Sequence, residues 1–172
     1  MPDKSKVIED IKKSTDELVD YLADFPTESF NIKPGPNSWS ASGTAEHLVL
    51  LETLVNQILK GKTRTTDRNP EDKIERIKST FLNVDKKLTA GSPILPGEKP
   101  KEKEEVIKEI KSCQQALVDI INANHLELTC LGFNHGLFGE LTRIEWVYFN
   151  IYHSQRHLHQ LKNIKKQVAT RI

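Results

Sequence analysis

IEWVYFNIYHSQRHLHQLKNIKK, residues 144–166, is the stretch whose reading decides the fold. It is nearly all apolar from Ile144 to Tyr152 and then increasingly polar, with lysines gathering where a helix dipole favours cations. The pattern predicts a long helix from Glu140 to about Lys166, the most buried of the chain. On such a helix His153 and His157 stand one turn apart and about 40° from each other. Their row continues towards the N-terminus through Asn150, Phe149 and Trp146, so the pair lies at the polar end of an apolar stripe and points inward. His159 is about 200° round from His157, beside Arg156 and Lys162, and is expected to face outward. Gln160, three residues after His157, can hydrogen-bond near the pair.

A buried helix needs partners, and the rest of the chain supplies them. Val7, Ile8, Ile11, Thr15, Leu18, Leu22 and Phe25 recur at spacings of three and four and predict a first helix, ended by Pro26. About sixteen residues, including FNIKPGPNSW, then cross the end of the domain, and connections of that length are often functional. Ser40 is a suitable N-cap for a second helix to about Gly61, with Leu48, Leu51, Val55 and Ile58 as its core stripe. GKTRTTDRNPED breaks the periodicity. Ile74, Ile77, Phe81, Val84 and Leu88 restart it in a third helix beginning near Pro70.

Residues 90–100, AGSPILPGEKP, are too rich in proline and glycine for any regular element and form a crossover. A fourth helix follows through Val106, Ile110, Cys113, Leu117, Ile120 and Asn124. Residues 124–139 read as a packed loop or a brief strand. Four helices near twenty residues predict an all-α four-helix bundle with long crossover connections, in a single domain spanning residues 1–172. No repeat of solenoid length is present.

Composition narrows the partners. Of 172 residues, 25 are basic and 24 acidic, interleaved along the chain, so no basic field or arginine-rich aromatic face favours nucleic acid or an anionic membrane. The charged start MPDKSKVIED lacks the apolar run of a signal peptide, and nothing approaches a membrane span, which predicts a cytoplasmic protein. Cys113 and Cys130, far apart and outside any CxxC pattern, are expected to be buried thiols.

An H-x-x-x-H pair on one helix face has the spacing of a two-histidine metal clip, but core or surface histidines that only find hydrogen bonds share that spacing; a catalytic zinc-type site takes a third protein ligand. His47, His125 and His135 could each be the third. His47 lies two turns into the second helix among small and apolar residues, and is expected to be partly buried. His125 follows the end of the fourth helix, where it could serve the dipole, and His135 belongs to an irregular loop.

NSWSASGTAEHL early in the chain together with HGLFGELTRIEWVYFNIYHSQRHLHQL late in it resembles the DinB-like, or YfiT-like, superfamily of metal-dependent enzymes. The likeness covers nearly the whole chain. It implies a four-helix bundle in which three histidines at one end hold a divalent metal, usually nickel or zinc. One comes from the second helix in the context of Trp39, Ser40 and Leu48, here His47; the others are His153 and His157. Where the family has proline after the loop histidine, this sequence has Gly136, which puts the rigidity of that loop in question.

The resemblance further implies hydrolysis by activated water, or transfer to an activated low-molecular-weight thiol such as bacillithiol, mycothiol or glutathione, on a small-molecule substrate, and a possible homodimer. A bundle that only binds metal or a partner is the alternative. Residues 26–39 and 125–139 are expected to form the mouth, with Trp39 and Phe133 as candidate walls and Trp146 in the core. Glu46, the acidic residue nearest a proposed ligand, points about 100° away from His47 and is expected to make a surface contact. No catalytic side chain beyond the ligands is identified.

Overall fold

The computed structural model describes residues 1–90 and 94–170. Its helices are α1 (Lys4–Asp24), α2 (Ala41–Lys60), α3 (Ile74–Leu82), α4 (Lys103–Ala123) and α5 (Arg143–Ala169). Thr63–Arg64 (β1) and Thr129–Cys130 (β2) pair antiparallel. Among the described residues no helix is long and apolar enough to cross a membrane.

Local chemistry sets where the long helices start. The Asp3 carboxylate accepts the Ser5 and Lys6 amides ahead of α1, and the Ser40 hydroxyl accepts the Gly43 amide at 3.1 Å ahead of α2, as expected. Thr142 and Glu145 form a reciprocal capping box at the start of α5. Each bond occupies an amide that the first helical turn leaves without a partner.

The apolar core falls into two clusters that give the helix directions. One joins the start of α1 (Val7, Ile11), the second half of α2 (Leu51 to Leu59), α3, the end of α4 (Leu117 to Ile121) and the first half of α5 (Ile144 to Ile151). The other joins the end of α1 (Leu18 to Phe25), the start of α2 (Ala41, Ala45, Leu48), the start of α4 and the end of α5 (Leu161, Ile164, Val168). Hence α1 and α5 run one way, and α2 and α4 the other. α1 and α2 each pack against both α4 and α5, so residues 25–40 join diagonal helices at one end and residues 124–142 do so at the other. Because α2 and α4 are parallel, residues 61–102 return along the whole bundle, carrying α3 against α5 on the way. The first connection is not wholly extended: Thr27–Ser29 form a 3-10 turn.

Two further expectations are corrected. The third helix does not run from Pro70 to Leu88; it spans Ile74–Leu82, Val84 is exposed and Leu88 reaches the core from irregular chain. The reason is Arg156, expected in solvent, whose guanidinium takes the carbonyls of Phe81 (3.1 Å), Asn83 (2.8 Å) and Lys86 and turns the chain out of the helix. Cys113 is only half-buried between α2 and α4, whereas Cys130 is buried. The described residues of the predicted crossover carry no helix or strand; Gly91, Ser92 and Pro93, which fall within it, lie outside them.

Candidate functional site

α2 and α5 bring His47, His153 and His157 together. They stand two turns into α2 and midway along α5, where the two apolar clusters meet, rather than at an end of the bundle as the family resemblance implied. All three are buried, His47 to 1% residual exposure, more completely than its sequence position suggested.

Their ring nitrogens are arranged asymmetrically. His47 Nδ1–H donates to the Ile94 carbonyl at 2.7 Å, and His157 Nδ1–H donates to Gln160 Oε1 at 2.6 Å. In each neutral ring the proton is thereby held at Nδ1 and Nε2 keeps its lone pair. Both Nε2 atoms approach His153 Nε2, each at 3.1 Å, and the three lie within 4.8 Å of one another.

These contacts cannot all be hydrogen bonds. His153 Nε2 carries at most one proton, which can point along only one of the two 3.1 Å contacts, so at least one of them has no hydrogen between its nitrogens. His153 Nδ1 is buried without a partner, so the second nitrogen of that ring offers no relief. A cation among the three Nε2 atoms removes the conflict. Two imidazole nitrogens at ~2.0–2.1 Å from one metal ion are about 2.8–3.4 Å apart at octahedral or tetrahedral angles, which spans the two 3.1 Å contacts to His153; the third pair closes to within 4.8 Å. The residues present therefore fit a divalent ion.

The surroundings keep the imidazoles in their ligating, neutral form. Burial lowers the His47 pKa, against the opposing bond to Ile94. His153 falls well below its ordinary value through burial, reinforced by His157 and His47. His157 falls to about 3, again mainly through burial, with His47 adding and Gln160 opposing. Aromatic rings make the walls. Trp39 stacks on His157 (6.3 Å between centroids) and tilts against His47 (4.8 Å), while Phe149 stacks on His153 and Phe81 meets it edge-on at 5.4 Å.

The other candidates lie elsewhere. His125 is exposed and sits beside Glu127. His159 is exposed, as helix geometry predicted. Half-buried His135 stacks on Phe138 and, through Phe149, stands one ring behind His153. Phe133 is exposed and packs on His135 and buried Trp146 rather than on the three histidines. The loop with Gly136 is tied down by other means: His135 and Gly139 exchange backbone bonds, Gly139 adopts φ +70°, and Lys73 and Arg76 take three of its carbonyls.

Sequence reasoning missed Phe81, read only as core, and the Ile94 carbonyl, which no sequence signal marks. It did find Gln160, through its spacing from His157.

The sequence model of the DinB superfamily matches residues 10–161. The uncharacterized protein YuaE of Bacillus subtilis (strain 168) is 26% identical over 156 residues, 88% of this chain and 93% of its own. Two solved structures share the fold. TT2238, a four-helix bundle protein, has a TM-score of 0.60 at 18% identity, over 94% of this chain and 99% of its own. YfiT from Bacillus subtilis, described as a probable metal-dependent hydrolase with an unusual four-helix bundle topology, has a TM-score of 0.63 at 10% identity, over 96% of this chain and 87% of its own.

Proposed function

Because the chain belongs to the DinB superfamily, we propose that it is a metal-dependent enzyme for a small molecule, with His47, His153 and His157 holding one divalent ion, nickel or zinc. The observation that carries this reading is the meeting of three Nε2 atoms whose contacts cannot all be hydrogen bonds and which a shared divalent ion would satisfy together. The description of YfiT as a probable metal-dependent hydrolase points the same way, and imidazole nitrogen suits both metals.

Three neutral imidazoles leave the ion's double charge uncompensated, so its contribution is to lower the pKa of a water or a low-molecular-weight thiol and make it a nucleophile for hydrolysis or thiol transfer. The chain's own residues do the rest. Ile94 and Gln160 orient two of the rings through their Nδ1 protons. Phe81 and Phe149 close one side against water, and half-buried Trp39 offers an apolar face on which a substrate can rest.

The test is metal content in protein purified without a polyhistidine tag, followed by assay on esters, amides and electrophiles with and without cellular thiols. One nickel or zinc per chain is expected, retained in His159→Ala and lost in His153→Ala. Absence of stoichiometric metal after reconstitution overturns the reading; bound metal without turnover of any substrate leaves a metal-binding bundle.

A further inference from the structure

The segment opposite His47 is held by the residue next to it. Glu46 points aside from the site, as its position on α2 requires, yet both its oxygens are engaged by the crossover. Oε2 accepts the Gly97 amide at 3.1 Å, and Oε1 pairs with Lys101 Nζ at 3.2 Å, the carboxylate being 19% exposed. Three residues before Gly97, the same crossover supplies the Ile94 carbonyl that receives His47 Nδ1–H.

Residues 94–101 have no helix or strand ladder to hold them. Their further ties are Asn31, which exchanges two bonds with the Lys101 backbone (3.0 and 2.9 Å), and the exposed Lys33–Glu98 pair. All of these except the Glu46–Gly97 bond lie at Glu98 or beyond. Ile94 itself packs against the apolar core, and among the described residues the Glu46–Gly97 bond is the tie on the C-terminal side that lies closest to it in sequence.

We propose that Glu46 is a positioning residue for the metal centre: by anchoring Gly97 and Lys101 it keeps the Ile94 carbonyl on His47 Nδ1, and so presents the His47 Nε2 lone pair to the ion. This rests on the proposed three-histidine centre. The physical basis is tautomer selection. A carbonyl fixed at Nδ1 accepts only from a ring protonated there; once it withdraws, His47 also populates the form with its proton on Nε2, which cannot ligate. Outer partners of this kind change metal affinity by about 10–100-fold.

Two measurements on full-length Glu46→Ala and Glu46→Gln test it. In the metal-free protein, histidine side-chain 15N shifts are expected to show His47 protonated at Nδ1 in the wild type and a mixture of tautomers in Glu46→Ala. In cobalt(II) competition with a chromophoric chelator, Glu46→Ala is expected to bind about tenfold or more weakly than wild type. Glu46→Gln, which can still accept from Gly97 but loses the ion pair, is expected to fall between them. A purely structural role would lower the melting temperature and leave the tautomer alone. Wild-type tautomer in a folded Glu46→Ala overturns the proposal, and so does unchanged cobalt affinity. Should Glu46→Ala not fold, Lys101→Met and Glu46→Gln carry both readouts, and wild-type values in both overturn it. If the wild type itself takes up no cobalt, the metal reading has failed, and the metal-free tautomer still decides the role of Glu46.

Discussion

At the scale of single residues, burial of polar groups is what distinguishes this bundle from a plain apolar one. The histidines are one instance and Glu52 is another. Glu52 is buried in α2, one of its oxygens has no partner, and burial raises its pKa to about 8. A carboxyl whose folded pKa lies above its unfolded value of 4.5 holds its proton more tightly in the folded state. Its contribution to stability is thus complete below about pH 4.5 and is lost as pH rises through about 8. Urea unfolding of the wild type should show a loss from this group on the order of 3 kcal/mol between pH 5 and 8. Glu52→Gln should lack that part of the slope and be the more stable protein at pH 8; parallel pH profiles for the two would contradict the burial argument.

At the scale of elements, helix C-termini are closed by cations from elsewhere in the chain. Lys103 Nζ takes the carbonyls of Ala23 and Phe25 at the end of α1. Arg143 Nε takes Leu59 at the end of α2, Arg156 takes Phe81 and Asn83 at the end of α3, and Lys4 takes Asn122 in α4. The last turns of α1, α3 and α4 contain no basic residue of their own. The bonds therefore join local to tertiary structure, each satisfying carbonyls that a helix end leaves open, with a charge of the favourable sign. Lys103 is buried, so Lys103→Met keeps the apolar stem but removes two charge-assisted bonds. Chemical denaturation should register a loss of about 1.5–3 kcal/mol. A change below 0.5 kcal/mol would show that water replaces the ammonium without cost.

At the scale of the whole molecule, the three histidines join helices that run in opposite directions and each contribute to both apolar clusters. An ion held among them links α2 to α5 in the folded state only. Linkage then requires stabilisation by zinc or nickel of about 2.7 kcal/mol at a free concentration one hundred times the dissociation constant. For a chain of this size that is a rise in melting temperature of roughly 5–11 °C. Calorimetry should find the rise reversed by chelator and missing in His153→Ala; equal melting temperatures with and without metal would mean that the ion does not bridge the two helices.

The amino-acid sequence by itself determined the bundle, its four long helices, the Ser40 cap, the inward pair His153 and His157, the outward His159, and Gln160 at its spacing from His157. All of these follow from periodicity or from contacts within one helical turn, which a linear pattern records directly. His47 was open among three candidates on spacing alone and was singled out by the likeness to a family. Tertiary structure decided what depends on residues far apart in the chain: the shortening of α3 by Arg156, the half-exposure of Cys113, the ring of Phe81 against His153, and the Ile94 carbonyl on His47. A charge on a helix reads as solvated until the carbonyls it reaches are known. A backbone acceptor carries no side-chain signature, so its place beside a histidine 47 residues away emerges only when the chain has folded back along the bundle.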